Sequence, residues 1–312
     1  MSKACLRETQ AQTYIELVQQ GYEILYLVSD SLSTSRIKLF QQTYPERVVN
    51  LGIAEQNLMG VAAGLANGGF IPITGNATPF LISRSNEQLK IDISYSNSNV
   101  KVNGMHAGFS YGTDGVTHHE VNDISIMRGF PNFEIYAPCD PRECGLITTY
   151  AIKERSGPVY ISLNSGFFPN LTAANHKFVP GEPIHLASGN DITIIALGTA
   201  THDVLEAQLL LGGRCQADIF ALTSIRPLNA VPLLESIRRT GRVLTVEQHS
   251  THGGAGSLIA ERMAESGIGG KLQRLGIPEG VFTKNWSAPD NKRYFHLDAV
   301  GIEAAVMRSL AD

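Results

Sequence analysis

Leu51-Gly52-Ile53-Ala54-Glu55-Gln56-Asn57-Leu58-Met59-Gly60-Val61-Ala62-Ala63-Gly64-Leu65-Ala66 sets a single carboxylate at the mouth of an otherwise apolar, glycine-rich helix. Just upstream, Val48-Val49-Asn50 reads as a short strand, so the stretch is a strand that turns into a helix. The same alternation extends in both directions. Residues 24–28, 70–74 and 100–103 are short apolar runs, and helix-period stretches start at Ser35 and Glu55. Repeated strand–helix units predict a parallel sheet covered by helices. A second set begins with Asp191-Ile192-Thr193-Ile194-Ile195-Ala196-Leu197-Gly198, continues with a helix over 204–211, and adds strands at 218–222 and 243–247. Between the sets, residues 165–188 carry Pro169, Pro180 and Pro183 and no hydrophobic period, which predicts a linker. The expected fold class is α/β with two domains, each a mostly parallel sheet flanked by helices, at 1–165 and 189–312 with a linker at 166–188.

Composition narrows the function classes. A chain of 312 residues is long for one core and suits two domains. With 43% hydrophobic and 17% charged residues it has the make-up of a globular protein rather than a disordered one. A net charge of -4 supplies no basic stripe for nucleic-acid phosphates, so no nucleic-acid partner is expected. Cys5, Cys139, Cys144 and Cys215 fit neither a zinc knuckle nor a CxxC redox pair and read as reduced thiols. No basic-then-apolar leader opens the chain and no apolar run reaches the roughly 18 to 20 residues of a membrane span. The expectation is a cytoplasmic protein with no membrane partner.

Glu55 has two readings on its own residues. A carboxylate at a helix start is either solvated, where the dipole favours it, or buried and held for chemistry. The small residues Gly52, Ala54 and Gly60 fit close approach by an aromatic ring and equally fit plain helix-to-strand packing. The wider phrase Pro45-Glu46-Arg47-Val48-Val49-Asn50-Leu51-Gly52-Ile53-Ala54-Glu55-Gln56-Asn57 resembles a block of transketolases, deoxyxylulose-phosphate synthases and the β subunits of 2-oxo-acid dehydrogenases. That resemblance implies thiamine diphosphate as cofactor and a catalytic role for Glu55, which in that superfamily hydrogen-bonds N1′ of the aminopyrimidine. It also implies a pair of aromatics around the pyrimidine. Gly75-Asn76-Ala77-Thr78-Pro79-Phe80 has Ala77 at the first position and Phe80 at the second, so Phe80 is the expected ring contact, with core packing as the alternative. Glu87-Gln88-Leu89-Lys90-Ile91-Asp92-Ile93-Ser94-Tyr95-Ser96-Asn97 resembles the family's next helix and strand lead-in.

The densest polar cluster is His106-Ala107-Gly108-Phe109-Ser110-Tyr111-Gly112-Thr113-Asp114-Gly115-Val116-Thr117-His118-His119. Its glycines make it a loop, and loops at the carboxyl ends of parallel strands are where α/β sites lie. A metal site is disfavoured by the lack of an i, i+4 histidine pair, and no metal ligand is assigned. The run is similar to a transketolase motif of a histidine followed by Asp-Gly-x-Thr-His. That resemblance implies His106 at the far end of a sugar phosphate, Asp114 on a substrate hydroxyl whose stereochemistry it reads, and His118 as a catalytic group near the reacting carbonyl. His119 receives no role. Glu120 to Asn132 is expected to be a structural helix with solvated charges. The resemblance covers residues 1–165 closely and the rest through Val246-Glu247-Gln248-His249 and Gly253-Gly254-Ala255-Gly256-Ser257, glycines that are a weak signal for a phosphate cradle. The last domain is expected mainly to support assembly.

Two family features are missing. After Val159-Tyr160-Ile161 the chain reads Ser162-Leu163-Asn164-Ser165, without the arginine that clamps substrate phosphate, so Arg7 and Ser35 are the expected contacts and Arg84 a further candidate. The Gly-Asp-Gly motif and distant asparagine for diphosphate and Mg2+ (or Ca2+) are also absent. A separate N-terminal transketolase subunit is therefore expected to hold them, in an α2β2 assembly. The implied activity is two-carbon ketol transfer from a ketose or ketose phosphate to an aldose. The alternatives are a β subunit of a 2-oxo-acid dehydrogenase and a non-catalytic stabilising partner.

Overall fold

A seven-stranded sheet organises the first half of the molecule, in the order Ser224–Arg226, Glu134–Tyr136, Val159–Leu163, Lys101–Met105, Ile71–Ala77, Ile24–Val28, Val48–Asn50. Ser224–Arg226 joins antiparallel; every other pair is parallel. The computed structural model describes residues 3–311. Val159–Leu163 and Lys101–Met105 are buried along their whole length, as strands covered on both faces must be. The helix Glu55–Asn67 covers one face with Leu58, Met59, Ala62 and Ala63, while Gly60 and Gly64 lie on its exposed side. Full burial of side chains such as Leu58 and Met59 contributes about 1.5 to 3 kcal/mol each. Helix Leu6–Gln19 closes the other face through Tyr14, Leu17 and Val18, against Tyr26 and Ile73 of the sheet. Helix Pro141–Lys153 starts where a proline at the first helical position follows Asp140, whose carboxylate accepts from Glu143 N at 2.8 Å.

The second sheet has five strands in the order Lys271–Ile277, Arg242–Ser250, Ile192–Leu197, Ala217–Leu222, Ile184–Ala187, parallel except for the last. Ala200–Leu211 and Ala299–Ala311 pack on one face around Ile194, Val204, Leu244 and Val306. Val231–Thr240 and Ala255–Glu265 pack on the other around Ile195, Ile237, Val243 and Ile259. The two-domain α/β fold of the sequence reading is therefore the fold observed.

Local expectations needed correction in four places. The helix expected to start at Ser35 is two short ones, Leu32–Ser35 and Lys38–Thr43, because Arg36 between them is left-handed at φ 54. The stretch expected to be a linker supplies Phe167–Pro169, paired with Lys3–Cys5, and the edge strand Ile184–Ala187; its prolines are compatible with edge positions. Around Phe80 and Leu89 the chain winds as wide turns, Phe80–Arg84 and Leu89–Tyr95, of π type. Helix Asp123–Arg128 is shorter than expected, and Glu120 and Asp123 are buried at the seam with the second domain rather than solvated. All four cysteines are free thiols in the core. Among the described residues no helix is long and apolar enough to cross a membrane.

Candidate active site

The first sheet places its candidate residues along one edge. Glu55 follows strand Val48–Asn50, Phe80 follows Ile71–Ala77, His106 follows Lys101–Met105, and Ser165 follows Val159–Leu163. These are the carboxyl ends of parallel strands, where side chains on connecting loops converge without belonging to the sheet. Ala77, at the position of the missing aromatic, ends its strand buried.

Glu55 is only 2% exposed, so it is buried rather than solvated at the helix start. Arg84 Nη1 reaches its Oε2 at 2.5 Å, and Asn76 Nδ2 donates to Oε1 at 3.2 Å. Arg84 is itself 44% exposed and lies over the Phe80 ring, 4.7 Å from its centre. A wide turn brings Arg84 and Phe80 onto the same side, which ordinary helix spacing of four residues also favours.

From Phe80 the site continues as a chain of rings. His118 meets the Phe80 ring edge-on at 5.2 Å, Tyr111 meets His118 at 5.2 Å, and His106 stacks on Tyr111 at 4.3 Å. His106 is held in the left-handed region at φ 64, uncommon for a residue with a side chain and typical of functional positions. Its Nε2 lies 2.5 Å from Arg7 Nη1 and its Nδ1 2.8 Å from Ser165 Oγ. A guanidinium can only donate, so Nε2 accepts and the ring is neutral with its proton on Nδ1. Burial, with the Arg7 charge second, lowers the His106 pKa to about 4, in agreement with that tautomer.

Arg7 ends the chain. It is 4% exposed, donates to Thr34 O at 2.6 Å, and leaves its buried Nε without a partner. Among the described residues no carboxylate lies within ion-pair distance of it. A buried cation with no carboxylate beside it and the Arg36 charge nearby is incomplete without an anion. Asp114 stands exposed on the turn Gly112–Thr117, and His118 Nδ1 pairs with Thr117 Oγ1 at 2.9 Å.

The other candidates are engaged differently from what the sequence suggested. Ser35 is 0% exposed and its hydroxyl donates to Gly75 O at 2.6 Å, because the helix that it ends turns the side chain into the sheet. Arg84 is paired with the Glu55 carboxylate. The glycines after Glu247 form no phosphate cradle: the Glu247 carboxylate already accepts from Ala255 N at 2.6 Å and Gly256 N at 2.9 Å, filling the helix start. Tyr111, Asn76 and Ser165 were not anticipated. An aromatic directly before a glycine in Ser110-Tyr111-Gly112 was the one sequence signal for any of them.

Comparison with known proteins gives the family. Residues 2–168 match the family model of the transketolase pyrimidine-binding domain, and residues 181–302 that of the transketolase C-terminal domain. One subunit of the apulose-4-phosphate transketolase of Actinobacillus succinogenes is 40% identical over 298 residues, covering 95% of this chain and 96% of that one. A 6-deoxy-6-sulfo-D-fructose transketolase subunit of Clostridium sp. (strain MSTE9) is 34% identical, covering 87% of this chain and 84% of its own length. A solved structure described as a split-gene transketolase in an inactive β4 tetramer superposes with a TM-score of 0.87 at 33% identity, covering 98% of each chain. A buried carboxylate joined through aromatic and histidine rings to a buried cation is thus set in a matching fold and sequence, and the chain belongs to the transketolase family, with that family's pyrimidine-binding and C-terminal domains.

Proposed function

We propose that the chain transfers a two-carbon ketol unit from a ketose donor to an aldose acceptor, as one subunit of a two-chain transketolase. The observation that carries this reading is the unbroken run of contacts from Glu55 through Arg84, Phe80, His118, Tyr111 and His106 to Arg7. One end offers a carboxylate to a heterocycle, the middle offers donors and acceptors to hydroxyls, and the other end offers a cation to an anionic tail.

The residues at the Glu55 end fit an aminopyrimidine. A carboxylate has about four acceptor positions, and Arg84 and Asn76 use only part of that capacity. Glu55 would hold the proton shared with the ring nitrogen, Arg84 would balance the carboxylate charge, and Phe80 would pack on the ring. When bound, thiamine diphosphate supplies the nucleophilic carbon needed to break and remake the carbon–carbon bond. His118 is placed to donate or take a proton at a substrate oxygen beside the reacting carbonyl. Asp114 accepts from one substrate hydroxyl, and His106 with Arg7 binds the far end. The relatives named above are described as acting on a phosphate and on a sulfo sugar, both with an anionic group, which supports an anion at Arg7.

Names that specify one subunit of a transketolase, and a β-only tetramer described as inactive, support a separate N-terminal partner that holds the diphosphate and Mg2+ (or Ca2+), in an α2β2 assembly. Four buried free thiols are in keeping with a cytoplasmic location. Mixing tests the reading. With thiamine diphosphate, Mg2+ and xylulose 5-phosphate as donor, transfer to an aldose is expected only when this chain and its N-terminal partner are combined. Equal turnover by this chain alone would refute the split site, and decarboxylation of a 2-oxo acid without ketol transfer would favour the dehydrogenase reading.

A further inference from the structure

Asp114 and His118 sit on a turn that, apart from the packing of the His118 ring on Phe80, is tied to its own domain by no side-chain hydrogen bond beyond the loop among the described residues. Among the described residues, residues 112–119 make one side-chain hydrogen bond beyond the loop 106–120, and it runs to the second domain: His119 Nδ1 to Thr283 Oγ1 at 2.8 Å. The other ring nitrogen of His119, Nε2, lies 2.7 Å from Gly112 O. A carbonyl can only accept, so Nε2 carries the proton and Nδ1 accepts from the Thr283 hydroxyl. His119 thus staples both ends of the turn Gly112–Thr117 to one residue of the other domain. Both His119 and Thr283 are buried, so the bond does not compete with water.

A second contact holds the middle of the turn. Gly115 has φ 72, and a Cβ built there would lie 1.9 Å from Asn285 Oδ1, so the Asn285 amide occupies the space a side chain would need. The segment that bears Thr283 and Asn285 is itself tied down by hydrogen bonds. Asn291, fully buried, accepts from Lys284 N at 2.9 Å and donates to Lys284 O at 3.0 Å and Trp286 O at 3.1 Å. Behind it, Phe295 stacks on Phe109 of the loop at 5.7 Å with the rings nearly parallel.

We propose that Thr283 and Asn285 are positioning residues: through His119 and Gly115 they fix the turn carrying Asp114 and His118, so the second domain sets how sharply the site discriminates substrate hydroxyls. What the turn discriminates rests on the ketol-transfer reading; that the second domain fixes it does not.

The test compares the full chain as wild type, Thr283→Val and Thr283→Ser. Amide hydrogen exchange is measured on the chain itself. Kinetics are measured in the assembled complex with xylulose 5-phosphate as donor and the epimeric acceptors D-erythrose and D-threose. Loss of one buried hydrogen bond is expected to speed exchange in residues 108–119 about fivefold in the valine variant. It is also expected to lower kcat/KM for the preferred epimer about tenfold and to shrink the ratio between epimers, with Thr283→Ser restoring all three. Unchanged exchange in Thr283→Val would overturn the coupling whatever the reaction is. Faster exchange with an unchanged epimer ratio would overturn the positioning role. A wild-type complex without ketol transfer would count against the proposed function instead, and the exchange comparison alone would then decide whether the second domain fixes the turn.

Discussion

Glu55 and Glu247 are near-equivalents in the two domains, yet they are held in opposite ways. Each is buried, at 2% and 0% exposure; Glu55 opens a helix just after a parallel strand, and Glu247 lies within the parallel strand that precedes the helix Ala255–Glu265. Glu247 accepts from the backbone of Ala255 and Gly256, groups that cannot move away without unwinding the helix Ala255–Glu265. Glu55 is held by two side chains, and the closer one, Arg84, is half in solvent. A carboxylate tied to fixed amides is committed to structure, whereas one tied to a mobile, solvated cation can share its lone pairs with a ligand. The cations repeat the contrast. In the second domain Arg239 is bonded to the Asp218 carboxylate, while Arg7 in the first has no carboxylate among the described residues. The two sheets share an architecture, and what separates site from scaffold is which polar groups are left with capacity to spare.

Three substitutions would break or sharpen that contrast. The largest effect is expected from Glu55→Ala, which should lower turnover of the assembled complex by at least about 100-fold, the scale of a lost proton-transfer group. Next, Arg7→Met keeps the buried volume and removes the unpaired charge. It is expected to raise KM for a phosphorylated substrate about 30- to 150-fold, the worth of about 2 to 3 kcal/mol from a hydrogen bond to a charged group, and to leave an unphosphorylated one little changed. A parallel rise for both would remove Arg7 from the anion site.

The smallest effect concerns the seam between the domains. Burial, with the Asp123 carboxylate beside it, raises the Glu120 pKa from the ordinary 4.5 to about 8. Between those values the folded chain keeps a proton that the unfolded chain has lost, so this group makes stability fall as pH rises from about 4.5 to about 8. Glu120→Gln should flatten melting temperature between pH 5 and pH 8, removing a slope of up to about 1.4 kcal/mol per pH unit. An unaltered slope in the variant would show that Glu120 is ionised in the folded chain.

Much of this was legible in the chain. Strand–helix alternation gave both sheets, because strands buried on both faces write continuous apolar runs that a sequence displays directly. Glycines mark the loop that holds His106, Asp114 and His118, while the roles expected of these residues and of Glu55 and Phe80 came from the resemblance of their motifs to transketolases. What the sequence did not display was whatever depended on backbone phase or on distance along the chain. Ser35 looked available because nothing in its neighbours announces the left-handed Arg36 that ends the helix beside it. Arg84 looked like a phosphate ligand because its partner, Glu55, lies 29 residues away across a sheet. The Glu247 glycines looked like an anion cradle because the anion that fills it belongs to the preceding strand. The Thr283 bond to His119 joins residues 164 apart, and no local pattern encodes a pairing at that range.

The most direct test sets the two glutamates side by side in the assembled complex, measuring turnover per folded molecule and melting temperature for Glu55→Ala and Glu247→Ala. The account predicts that Glu55→Ala loses at least about 100-fold in turnover with a melting temperature near wild type. Glu247→Ala should instead lose about 1 to 3 kcal/mol of stability and keep the turnover of whatever remains folded. Wild-type turnover in Glu55→Ala, or a collapse of turnover without loss of stability in Glu247→Ala, would contradict it.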